Sequence, residues 1–191
     1  MRILMLGNSF TFYNDMPDML AKLTGAGVVA HTRGGAMLSE QLNPDTKMGA
    51  STLKSLENEK WDYVVLQERS NAQMVSRIRF LKSVADLCDK IHSAGAVPVL
   101  YATWAYKKGS HSMNSLNMTY DEMYHGIYSA YHEAAEINHA LVADVGKRFY
   151  ELSESQNLYA EDGYHPNEEG SKIAAELLAE QILLLRRTKD L

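Results

Sequence analysis

Five short apolar runs, Ile3–Leu6, Val28–Thr32, Tyr63–Gln67, Val97–Thr103 and Leu141–Val145, recur along the chain with longer helical patterns between them. Strands that alternate with helices build βαβ units, and such units make a parallel sheet covered by helices on both faces. The helical patterns fall at Met16–Leu23, around Ser51–Glu57, at Met74–Ala94 and at Asn117–His139, and a last helix follows Pro166 and runs to about Arg187. Ile3–Leu6 is apolar at every position, so it needs a neighbour on each side and belongs at the centre of the sheet. The expected architecture is one domain over residues 1–191: an α/β, three-layer α/β/α sandwich on a five-stranded parallel sheet in the flavodoxin-like order 2-1-3-4-5. Within Met74–Ala94, Ile78, Leu81, Val84, Leu87, Cys88 and Ile91 recur at three- and four-residue steps as a core-facing stripe, and Gly95 supplies the stop.

Composition narrows the function classes. Hydrophobic residues at 46% and charged residues at 23% are ordinary for a globular domain, and a net charge of −5 disfavours nucleic acid as a partner. No apolar run approaches the length of a membrane span. The chain enters its first strand almost at once and leaves no room for a signal peptide, so a cytoplasmic location is expected. Cys88 is the single cysteine, which rules out an internal disulfide, and its place on the helical stripe marks it as a packing residue. The seven histidines do not fall in metal-ligand spacing, so no metal is expected.

The chemistry gathers at the two ends. After the first strand comes Gly7-Asn8-Ser9-Phe10-Thr11, a small polar turn at the strand end where open parallel sheets hold their ligands. Near the far end, Asp162 and His165 lie three residues apart on a loop before the closing helix. A serine nucleophile needs an adjacent base, itself oriented by a third group, and Ser9, His165 and Asp162 are the required types in the order Ser…Asp…His. The turn reads G-x-S-x-T, not the G-x-S-x-G of the α/β-hydrolase elbow. Donors for a developing oxyanion are the Ser9 N–H, a Gly34 or Gly35 N–H after the second strand, with Leu38 as a further option, and the side-chain amide of Gln67 or Asn71 after the third. Trp104 and Asn71 sit where a substrate would be held. A competing reading takes the same turn as a phosphate loop of a flavodoxin-like FMN-binding protein, which leaves Asp162 and His165 without a role.

These residues resemble the SGNH hydrolases, also called GDSL-type esterases and lipases. Gly7-Asn8-Ser9-Phe10-Thr11 is similar to their first block, with Asn8 where the name-giving aspartate usually stands. Asp162 to Gly170 matches their Asp-x-x-His-Pro block and the early glycine of the following helix, and Gly34-Gly35 matches the second block loosely. The third block, usually Gly-x-Asn-Asp, departs: Gln67-Glu68-Arg69-Ser70-Asn71 instead resembles the Gln-Gly-Glu-Ser pattern of carbohydrate-acetylesterase branches, which points to Gln67 as the third oxyanion donor. The resemblance implies a cofactor-free serine esterase with Ser9, Gly35 and Gln67 as the oxyanion hole. The implied partner is a small-molecule or glycan ester, with a sugar O-acetyl group preferred and a lipase- or thioesterase-type acyl hydrolase as the alternative.

Overall fold

The computed structural model describes residues 1–189 of the 191. In chain order the elements are β1 (Arg2–Gly7), α1 (Ser9–Phe12), a 3-10 turn at Tyr13–Asp15, α2 (Met16–Thr24), β2 (Gly27–Thr32), α3 (Leu38–Gln41), α4 (Lys47–Asn58), β3 (Tyr63–Leu66), α5 (Ala72–Val75), α6 (Arg77–Ser93), β4 (Val97–Tyr101), α7 (His111–Asn114), α8 (Tyr120–Asn138), β5 (Leu141–Ala143), α9 (Val145–Leu152) and α10 (Glu168–Lys189). The five strands form one sheet in the order β2-β1-β3-β4-β5, with every pairing parallel. This is the expected order. The direction of strand addition reverses between β1 and β3, and that reversal opens a crevice at the carboxyl ends of these two strands.

The alternation along each strand divides the core into two layers. Leu4 and Leu6 of β1, Val64 and Leu66 of β3, and Leu100 of β4 pack under α6 and α8, against Val84, Leu87, Ile91, Ile127 and Tyr131. Ile3, Met5, Val65, Val99 and Tyr101 point the other way and pack under α2, α9 and α10, against Met16, Leu20, Phe149, Leu178 and Ile182. Burial on both faces is why the central strands read as unbroken apolar runs.

Three sequence expectations are corrected. Leu141–Val145 is a strand only to Ala143: at Val145 the chain turns into α9, whose backbone approaches so closely that a Cβ on Gly146 would lie 2.0 Å from the Thr103 carbonyl oxygen. The Met74–Ala94 helix is two helices broken at Ser76, where φ is −129° and ψ is 47°, outside the helical region. Ile78, placed on the core stripe by its spacing, is instead 87% exposed in the first turn of α6, where Phe80 takes the buried position. Cys88 is buried as expected, and burial pushes its thiol up to about 12. Among the described residues, no helix is long and apolar enough to cross a membrane.

Candidate active site

Ser9 is presented by a turn in which the N–H groups of Asn8, Phe10, Thr11 and Phe12 are all engaged. The Asn8 N–H donates to Gln67 Oε1 at 2.9 Å, and the Phe10 N–H donates to Asn8 Oδ1 at 3.1 Å. The Thr11 and Phe12 N–H groups both donate to the Asn8 carbonyl, at 2.9 and 3.3 Å. Asn8 is thus the N-cap of α1, and its Nδ2 also donates to the Ala36 carbonyl at 2.9 Å, which ties the turn to the loop after β2. Gly7 is required by close approach: a Cβ there would lie 2.4 Å from Thr11 Oγ1 and 2.6 Å from Gln67 Oε1. Of residues 8 to 12, only Ser9 keeps a backbone N–H without a partner among the described residues, which is what the first residue of a helix offers.

The loop before α10 brings the other two groups to Ser9. His165 Nε2 lies 2.8 Å from Ser9 Oγ, and His165 Nδ1 lies 2.6 Å from Asp162 Oδ2. With the proton on Nδ1, the ring donates to Asp162 and Nε2 accepts from the Ser9 hydroxyl. Asp162 Oδ1 accepts from the backbone N–H groups of Tyr164 and His165 at 3.0 and 2.9 Å, an Asx turn that folds the loop back on itself. Burial alone would push the Asp162 carboxyl up, but the His165 ring and these two N–H groups more than offset it and hold the group below the ordinary aspartate range. The Tyr13 ring stacks on the imidazole at 4.2 Å and 3°, and Phe10 meets it edge-on at 5.6 Å. Tyr13 and Phe10 therefore fix the plane of the ring, while Asp162 fixes its tautomer.

Around Ser9 lies an open groove of ≈ 650 Å³. Its walls come from the loops after β1, β2 and β3, joined by Tyr106, Tyr164 and His165. Gly34 and Gly35 both line it; Gly35 sits at φ +67°, a conformation that a residue with a Cβ rarely adopts, and neither N–H has a partner among the described residues. Leu38 is not a free donor, since its N–H is given to Glu68 Oε2 at 3.3 Å. Asn71 lines the groove, and its side-chain amide makes no hydrogen bond among the described residues.

Two expected site residues are elsewhere. Gln67 is fully buried: Oε1 takes the Asn8 N–H and the Thr11 hydroxyl, and Nε2 donates to the Glu68 carbonyl at 2.5 Å. It braces the serine turn from below, and its amide does not reach the groove. Trp104 is also fully buried, stacked between Phe10 at 4.8 Å and Phe149 at 4.2 Å with its N–H donated to the Tyr164 carbonyl, and it does not line the groove.

Glu68 is the residue whose part the sequence reading missed. Its carboxyl is buried and accepts the N–H of Leu38 at the start of α3 and, at 2.6 Å, that of Arg69. It therefore joins the loop after β2 to the loop after β3, the two walls that carry Gly34, Gly35 and Asn71. Desolvation by burial pushes it up to about 7 despite those two hydrogen bonds. A charged residue directly after an apolar strand is the only trace it leaves in the sequence. Among the described residues, no group of three or more His, Cys, Asp or Glu is placed to hold a metal ion.

Comparison with solved structures places this arrangement among known folds. The chain is 48% identical to a candidate SGNH hydrolase from Slackia heliotrinireducens, with a TM-score of 0.92 over 95% of this chain and 98% of that one. It is 16% identical to Axe2, an acetylxylan esterase from Geobacillus stearothermophilus, with a TM-score of 0.70 over 95% of this chain and 93% of that one. It is 15% identical to LAE5, an α/β hydrolase from the metagenome of Lake Arreo, with a TM-score of 0.72 over 96% and 95%. At these identities the last two likenesses concern the fold alone. No family model matches the chain, and no curated protein does.

Proposed function

Because the chain belongs to the SGNH hydrolase family, we propose that it is a serine esterase in which Ser9 is the nucleophile, His165 the general base and Asp162 the group that orients it. The observation that carries this reading is the unbroken line of hydrogen bonds from Asp162 through His165 to Ser9, at 2.6 and 2.8 Å, opening on the groove. Ser9 Oγ attacks the ester carbonyl while its proton passes to Nε2, and Asp162 stabilises the imidazolium that forms. The oxyanion rests on the unengaged N–H groups of Ser9 and Gly35 and on the Asn71 amide, which takes the place first expected of Gln67. His165 then protonates the leaving alcohol, and water releases the acyl group by the same steps in reverse.

The substrate reading is a carbohydrate O-acetyl ester. The groove is open, and its lining carries three tyrosines and two phenylalanines but no aliphatic side chain, which suits a small acyl group and a sugar ring. A phosphate-loop reading needs several convergent backbone N–H groups at residues 8 to 12, and all but that of Ser9 are already paired.

The test is hydrolysis of aryl esters of increasing acyl length by wild type and Ser9→Ala. The proposal expects acetate to be preferred and Ser9→Ala to be inert. A preference for long chains would replace the acetylesterase reading with a lipase- or thioesterase-type one.

A further inference from the structure

Arg69 stands on the groove wall, exposed, and its guanidinium makes neither a hydrogen bond nor an ion pair with any described residue. The backbone that carries it is held on both sides. Its own N–H is given to Glu68 Oε1 at 2.6 Å, and its carbonyl accepts the Ala72 N–H at 2.8 Å. The next residue, Ser70, sits at φ +44° with its hydroxyl against that of Tyr106 and its carbonyl accepting from Gln73 Nε2 at 2.7 Å. A serine held in the left-handed region by fixed partners is a rigid mount for the residue before it.

The charges nearby are already matched. Asp162 is satisfied by His165 and two backbone N–H groups, Glu40 pairs with Arg33, and Glu68, which feels the Arg69 charge but forms no ion pair with it, accepts two backbone N–H groups and is raised by burial to about 7. Among the side chains that line the groove, Arg69 is the one that carries a permanent charge, a cation in a chain of net charge −5. A forked guanidinium with no ion pair or hydrogen bond of its own, in a groove lined by no carboxylate, recognises a carboxylate or another anion that can take two parallel N–H bonds.

We infer that Arg69 binds an anionic group on the alcohol part of the substrate, so that the ester hydrolysed is an acetylated, carboxylate-bearing one such as an acidic sugar. The inference rests on the acetylesterase reading above, since an acetyl group has no room for a charge and the anion must then lie on the alcohol.

The test compares 4-acetoxybenzoate with its uncharged methyl ester on wild type, Arg69→Gln, Arg69→Lys and Arg79→Gln. The last removes the same charge from an exposed position on α6 that does not line the groove. Comparing ratios of kcat/KM between variants cancels the different intrinsic reactivities of the two esters. In Arg69→Gln the ratio of anionic to neutral ester is expected to fall about 10- to 100-fold, the size of a charge-assisted hydrogen-bonded pair. Arg69→Lys recovers part of the loss, Arg79→Gln keeps the wild-type ratio, and added salt lowers the ratio in wild type more than in Arg69→Gln. An unchanged ratio in Arg69→Gln, with both esters hydrolysed, overturns the anion site alone. Hydrolysis of neither ester by wild type overturns the esterase reading with it.

Discussion

Replacing Glu68 by glutamine tests the site and the fold at once, because the same carboxyl clamps two loops and is held in a place that disfavours its charge. Its rise from 4.5 to about 7 corresponds to roughly 3 kcal/mol. Between those two values the folded protein holds a proton that the unfolded chain has released, so stability falls as pH rises through that window and the loss is complete above it. The amide introduced by Glu68→Gln cannot ionise and escapes this loss. Like a protonated carboxyl, it offers one carbonyl oxygen, which keeps the Arg69 N–H at 2.6 Å and gives up the weaker Leu38 contact at 3.3 Å. At pH 5 Glu68→Gln should therefore stand within about 1 kcal/mol of wild type. At pH 8 it should be about 2–3 kcal/mol more stable, with a Tm higher by about 4–12 °C for a domain of this size. Thermal unfolding followed by circular dichroism at pH 5, 6, 7 and 8 reads this directly. Parallel pH curves for the two proteins would refute the burial argument. Since the variant releases Leu38, turnover of acetate esters is expected to drop about tenfold with little change in KM.

Other expectations follow from the same contacts. Gln67→Ala strips the Asn8 N–H and the Thr11 hydroxyl of their buried acceptor and should cost about 2–4 kcal/mol of stability in denaturant unfolding. Asn71→Ala should leave stability within about 0.5 kcal/mol of wild type and lower kcat about 100-fold, and equal loss of binding and turnover would remove Asn71 from the oxyanion hole. Asp162→Asn should lower kcat about 10⁴-fold by disturbing the tautomer of His165. Because the Asp162 carboxyl is held low, its stabilising effect is present above the unfolded value and lost as pH falls through the folded one, so wild type and Asp162→Asn should converge in Tm only in strong acid. Trp104→Ala should cost about 3–5 kcal/mol through the cavity left between Phe10 and Phe149.

The sheet order was legible because the apolar run at Ile3–Leu6 is too uniformly hydrophobic for anything but a central strand, and strands that alternate with helices call for parallel crossovers. Ser9, Asp162 and His165 stood out because their residue types complete one another across the length of the chain. Side-chain direction at the strand ends was not legible. Gln67 follows a strand buried on both faces, so period-two alternation carries no sign of which side faces the groove. Trp104 lies past the end of β4, where the chain bends and turns its ring inward. The run Leu141–Val145 crosses Asp144, which stands at the N-cap position of α9, but its carboxylate meets His132 and not an α9 N–H, so the local signal for the helix start is weak. The role of Glu68 depends on two N–H groups from separate loops, one of them 30 residues away in the chain.

The central claim is that Ser9, activated by His165, is the nucleophile. Its most direct measurement is labelling with a fluorophosphonate, read by intact mass and peptide mapping. The account predicts one adduct per chain, on the peptide that carries Ser9, with no adduct in Ser9→Ala and strongly slowed labelling in His165→Ala. An adduct on another serine, or Ser9→Ala hydrolysing aryl acetate at the wild-type rate, would contradict it.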